Sequence, residues 1–173
     1  MSASKGCSAI TVISLMTVCA VFLFLSSCSG EDAAGEKTSG VAFSSVGTDG
    51  SLTIDTSGIT ADVSYYNYDA NGTTVQILAL RDKDGGVHAA FNTCQSCSPS
   101  PKAYYLQRGE LLICQNCGFD FTAEDVGLVQ GGCNPWPVEG IEITEETIVI
   151  PAASLQAMAP TFQNWAGPAE HGE

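Results

Sequence analysis

Two Cys-x-x-Cys pairs, Cys94–Cys97 and Cys114–Cys117, lie sixteen residues apart in the stretch CQSCSPSPKAYYLQRGELLICQNCG. This feature restricts the fold more than any other, because four thiols act together only if the intervening chain doubles back. A two-residue gap lets a tight turn aim both sulfurs of a pair at one point, with turn amides placed to donate to them. Gly118, directly after Cys117, permits the positive φ that ends such a turn. Four convergent sulfurs at this spacing suit zinc, a single iron or an iron–sulfur cluster. Two other uses stand beside metal binding. Each pair can be an exposed redox dithiol, although a thiol activated for that role usually opens a helix; here SPSPKAYY and GFDFTAED follow the pairs, without a helical pattern. The cysteines can also be a structural staple, with metal or as disulfides.

Compartment bears on this choice. Lys5 precedes the seventeen-residue run AITVISLMTVCAVFLFL (Ala9 to Leu25), which leads into Leu25-Ser26-Ser27-Cys28. A basic end, a short apolar run and a small-residue site read as an export leader over residues 1–27. Its lipobox-like end makes Cys28 the lipidated first residue of the mature chain. The alternative is an uncleaved anchor, for which the run is at the lower limit of length. Both readings place the remainder in the cell envelope, held to the membrane and facing the periplasm or exterior. No twin-arginine pair precedes the run, so export in the unfolded state is expected. Residues 28–40, small, polar and charged, read as a flexible tether. The chain carries 6 Lys+Arg against 19 Asp+Glu, and loss of Lys5 with the leader moves the formal charge from −13 to −14. Such a surface excludes nucleic acid as a partner and favours cations or basic protein surfaces. With Cys7 and Cys19 in the leader and Cys28 lipidated, five cysteines remain. The odd count means that disulfides alone would leave one thiol over.

From Val41 the pattern is mainly β: a small hairpin or sandwich-like domain over 41–165, with a zinc-ribbon- or rubredoxin-like pair of cysteine knuckles. It has little helix apart from the leader. SLTIDTS alternates apolar and polar residues, and DVSYYNYDANGTTVQILALRD reads as two strands about Asn71-Gly72. After a turn at Asp84-Gly85-Gly86, VHAAF leads into the first cysteine pair. KAYYLQ and ELLI flank Arg108-Gly109 as a second hairpin that delivers Cys114. Thr122 to Asp125 has the spacing of a capping box and one short helical turn. QGGCNPWPV (Gln130 to Val138) reads as loop throughout. GIEITEETIVI reads as a third hairpin, and a short helix is expected to begin near Pro151 or Ala152. Residues 166–173 read as a frayed tail.

Cys133, in Gly131-Gly132-Cys133-Asn134-Pro135, is a candidate fifth sulfur, as an extra ligand or a resolving thiol; a buried loop cysteine is the plain alternative. His88 reads as a surface histidine before it reads as a ligand, and His171 falls in the tail. The Tyr65-Tyr66 and Tyr104-Tyr105 pairs read as packing residues of strands. Nothing groups carboxylates, histidine or serine for hydrolysis, and there is no Gly-rich phosphate loop. A carrier or binding protein is therefore expected rather than an enzyme.

In combination, RDKDGGVHAAFNTCQSC, YYLQRGELLICQNCG, GGCNPWPV and the late IEI…IVIPAASL…F pattern resemble the FtrD-like, iron–sulfur-containing membrane protein family, over roughly Leu52 to Trp165. The resemblance implies a metal or iron–sulfur centre at Cys94, Cys97, Cys114 and Cys117, with Cys133 associated. It also implies an electron-transfer role in bacterial ferrous-iron uptake, next to an iron permease or a periplasmic redox partner. Zinc is the alternative occupant, in a structural or interaction module with an acidic surface, and thiol–disulfide exchange the alternative chemistry.

Overall fold

A computed structural model describes residues 44–168; the leader, Cys28, the tether and His171 lie outside the described residues. Eleven strands and one helix follow one another in that span. They are β1 (Ser44–Val46), β2 (Leu52–Asp55), β3 (Ser64–Ala70), β4 (Thr73–Arg81), β5 (Val87–Cys94), β6 (Tyr105–Arg108), β7 (Leu111–Cys114), β8 (Asp120–Phe121), β9 (Pro135–Trp136), β10 (Glu142–Ile143), β11 (Thr147–Ile150) and α1 (Ala152–Phe162). The architecture is mostly β, as the sequence pattern indicates. Three sheets form, in the orders β1-β2-β11-β10, β3-β4-β5-β9 and β6-β7-β8.

The sheet containing β3, β4 and β5 is the middle layer, because it is apolar on both faces. Successive residues of a strand point to opposite sides. From β4, Val75, Ile77 and Ala79 enter one core with Leu52, Ile54, Ile148, Ile150 and the helix residues Leu155, Met158 and Phe162. Leu78 and Leu80 enter a second core with Tyr105, Leu112, Cys94 and Cys114. The same alternation sorts β5: Ala89 and Phe91 go to the first core, Ala90 and Cys94 to the second. Cys94 therefore faces the β6–β7–β8 sheet because of its parity along β5, and that sheet brings the other cysteine pair.

Local sequence accounts for the turns. Asn71 and Gly72 take φ of 55° and 89°, the two positive values of the turn that best matches the twist of paired strands, and Ala70 pairs with Thr73 across it. In the β6–β7 hairpin Arg108 pairs with Leu111, so the turn is Gly109-Glu110, one residue later than the sequence reading placed it. Gly109, at φ 62°, takes the first central position, a left-handed conformation that favours glycine. The short helical turn at Ala123–Asp125 forms as expected, with the Asp125 carboxylate accepting from the Thr122 hydroxyl at 3.0 Å and from its amide at 3.3 Å.

The stretch Gln130 to Val138 is not wholly loop. Pro135–Trp136 forms β9 on the edge of the middle sheet, pairing Trp136 with Phe91 and Pro135 with Cys94 around an irregularity. Proline lacks an amide to donate and so is confined to such edges; the two prolines shorten this strand without preventing it. Ala166 and Pro168, read from sequence as tail, are tied back: the Ala166 amide donates to the Pro101 carbonyl at 2.9 Å, and the Pro168 carbonyl accepts from Gln76 at 2.9 Å.

Candidate metal centre

Each cysteine pair begins at the end of a strand and turns in the same way. In the first, the Ser98 amide donates to the Cys94 carbonyl at 3.0 Å; in the second, the Gly118 amide donates to the Cys114 carbonyl at 2.9 Å. Gly118 has φ of 76°, as its place after Cys117 predicts. Ser100 joins the two knuckles directly, donating to Asn116 at 2.7 Å, and the Ala103-Tyr104 link between them accepts from the Cys94 amide at 2.9 Å and from the Gln115 amide at 2.8 Å.

The result is that the sulfurs of Cys94, Cys97, Cys114 and Cys117 all lie within 4.8 Å of one another, with Cys97 and Cys114 at 3.9 Å. Tetrahedral thiolates at a metal–sulfur distance of about 2.3 Å stand about 3.8 Å apart, so the donor set fits a metal with small adjustments. Exposure across the site is graded: Cys94 and Cys114 are buried, Cys97 is intermediate and Cys117 is exposed. Burial pushes the Cys97 thiol up, and raises Cys114 to about 11. At Cys117 burial also raises the value, but donation from the Phe119 amide and from the Cys114, Cys97 and Cys133 thiols outweighs it and brings it to about 7. One thiolate is thus favoured at the open edge, while Cys97 and Cys114 are held toward the protonated thiol.

Cys133 comes to this place but not into the four-sulfur set. Its thiol lies against Cys117 and Cys94, and burial pushes it up. Its loop is held by residues of the first knuckle. Gln95 accepts from the Gly131 amide at 2.6 Å and donates to the Val129 carbonyl at 3.1 Å, while Ser96 donates to the Gly132 carbonyl at 2.6 Å. The Cys133 carbonyl accepts from the Cys94 thiol at 3.5 Å and from the Tyr105 hydroxyl. His88 is not among the clustered ligand atoms; its Nε2 lies 2.7 Å from the Asp82 carboxylate, with both side chains largely buried.

Sequence reading gave Tyr105 to strand packing alone and passed over Asn92 and Gln76, and all three build this site. Tyr105 is fully buried and packs edge-on against Phe121. Burial, then contact with the Cys94 thiol, pushes its phenol strongly up, so it stays a hydrogen-bond donor. Asn92 and Gln76, both fully buried, form a polar chain through the middle sheet. Asn92 accepts from the Tyr105 amide at 2.8 Å and donates to Gln76 at 2.8 Å, which donates to Asn67 at 2.8 Å; the Asn92 carbonyl accepts from Trp165 at 2.8 Å. A signal for Asn92 existed: it is two residues before Cys94, and so on the same face of β5.

A small, mainly β, cysteine-rich domain with a four-thiol cluster is thereby defined. The family model described as membrane iron–sulfur containing protein, FtrD-like, matches residues 59–162, and the chain belongs to that family. Comparison with curated proteins and with solved structures gives no match. Among the described residues, no helix is long and apolar enough to cross a membrane.

Proposed function

We propose that this protein is a membrane-tethered, cysteine-ligated electron carrier of bacterial iron uptake. The observation that carries the reading is the convergence of four sulfurs within 4.8 Å on a site buried on one side and open at Cys117. Family membership supports a metal or iron–sulfur centre and a membrane setting. A bound iron centre would supply a one-electron couple, with a potential set by its sulfur ligands and their surroundings. Cys94, Cys97, Cys114 and Cys117 are the ligands in this reading. Tyr105, Leu112 and Phe121 keep water from the inner pair, and Cys117 is the edge that a redox partner reaches. Cys133 belongs to the site as an associated sulfur. Residues 1–27 act as the leader, Cys28 takes the lipid and residues 29–40 let the domain reach a permease or a periplasmic partner. The net negative charge favours a basic docking surface on that partner.

A zinc-bound interaction module is the competing reading, favoured by the same tetrahedral spacing, and it differs in being redox-silent. Elemental analysis and a visible spectrum of the exported chain, purified anaerobically, test the two. Iron with sulfur-to-iron charge-transfer bands and a reversible one-electron couple is the expected result. One colourless zinc per chain in protein from iron-replete cells would remove the electron-transfer role. Labelling the lipid on wild type and on Cys28→Ala tests the anchor.

A further inference from the structure

We infer that the four cysteines hold one metal ion rather than a multi-iron cluster. The inference rests on the reading of these cysteines as ligands and goes further by stating what fits between them. Thiolates sharing one tetrahedral ion stand about 3.8 Å apart, and here the sulfurs lie within 4.8 Å, the Cys97–Cys114 pair at 3.9 Å. In a cluster each iron takes its own thiolates and inorganic sulfides lie between the irons, so the protein sulfurs must stand apart by the width of that core.

The surroundings resist such an opening. To part the knuckles would break the Ser100–Asn116 hydrogen bond at 2.7 Å and one of the two backbone bonds by which the adjacent residues Ala103 and Tyr104 hold the Cys94 and Gln115 amides. Behind the inner sulfurs, Tyr105 and Leu112 are fully buried, with Tyr105 fixed between Phe121, the Asn92 carboxamide and the Cys133 carbonyl. Close-packed side chains do not make room for bridging sulfides without loss of contacts. Export points the same way: a chain translocated unfolded carries no preassembled cluster with it, while a single ion can be captured afterwards.

The test uses the full exported chain, purified anaerobically, with metal content, acid-labile sulfide and native mass measured on one sample. It also titrates the metal-free, reduced protein with cobalt(II). Expected are one metal per chain, no labile sulfide, and a cobalt end point at one equivalent with intense tetrahedral thiolate bands. Cys133→Ser should keep that end point, and Cys117→Ser should weaken or lose it. Two or more irons with matching sulfide would overturn this inference and leave the electron-carrier reading intact. No metal under any loading condition, with the paired cysteines in disulfides, would overturn both. A Cys133→Ser variant that loses the cobalt bands while remaining folded by circular dichroism would overturn the four-ligand assignment.

Discussion

The Tyr105 hydroxyl and the Cys94 thiol both point to one atom, the backbone carbonyl oxygen of Cys133. As a metal-bound thiolate Cys94 has no proton to give, so Tyr105 becomes the remaining donor to that carbonyl and holds the Cys133 loop over the site. Tyr105→Phe should therefore cost about 1 kcal/mol of stability, the net worth of one such hydrogen bond. It should also speed metal loss to a chelator and leave the metal stoichiometry unchanged. Urea denaturation and a chelator competition on the same variant check both parts.

Asn92 and Thr93 are neighbours on opposite faces of β5, and opposite outcomes are expected from them. Asn92→Leu removes the partner of the Tyr105 amide and of the Gln76 carboxamide, leaving two buried polar groups unmet. At roughly 1–3 kcal/mol for each, the variant should be among the least stable that still fold. Thr93, nearly fully buried, has a hydroxyl without a hydrogen-bond partner among the described residues. Thr93→Val keeps the shape and removes that unmet group, so a gain of about 1 kcal/mol is expected. Denaturant midpoints of the two variants should move in opposite directions from wild type.

Gly118 ends the second knuckle at φ 76°, and a Cβ there would meet nothing within 4 Å. Any cost of Gly118→Ala is therefore conformational, about 1–2 kcal/mol for a left-handed residue. Metal affinity should fall by about five- to thirtyfold. Gly118→Asn should lose less, because asparagine tolerates this region better. Competition against a coloured chelator separates the two variants.

Acid should destabilise the β4–β5 turn before any sulfur chemistry is considered. The Asp82 carboxyl is held below its ordinary range, chiefly by its hydrogen bond with His88; burial opposes this, and the Gly86 and Asp84 amides add to the lowering. A carboxylate depressed in the folded state stabilises it above the unfolded value, near 4, and loses that contribution as pH falls through the folded value. The melting temperature of wild type should thus drop more steeply below about pH 4 than that of Asp82→Asn, with the two curves converging in acid.

Much of this molecule could be read locally. Asn71-Gly72 sets its own turn, Thr122 to Asp125 its own cap, and each Cys-x-x-Cys pair its own knuckle, because all of these depend on residues two to four positions apart. The alternation along β5 places Cys94 on a defined face. Where neighbouring residues compete, local reading is less sharp: the turn expected at Arg108-Gly109 moves to Gly109-Glu110 because strand pairing prefers Arg108 opposite Leu111.

What the sequence by itself determined is the class of fold, the family and the four sulfurs, since hydrophobic period, turn chemistry and ligand spacing are all short-range properties. Tertiary structure alone decided the rest. Pro135–Trp136 became a strand only because β5 offered an edge. Tyr105 changed from packing residue to loop clamp only because the Cys133 carbonyl, 28 positions away, came within reach. Asn92, Gln76 and Trp165 became one polar chain through contacts 16 and 73 positions apart. Such partners are chosen when layers pack and buried polar groups must be satisfied, and no spacing along the chain encodes which group will be there.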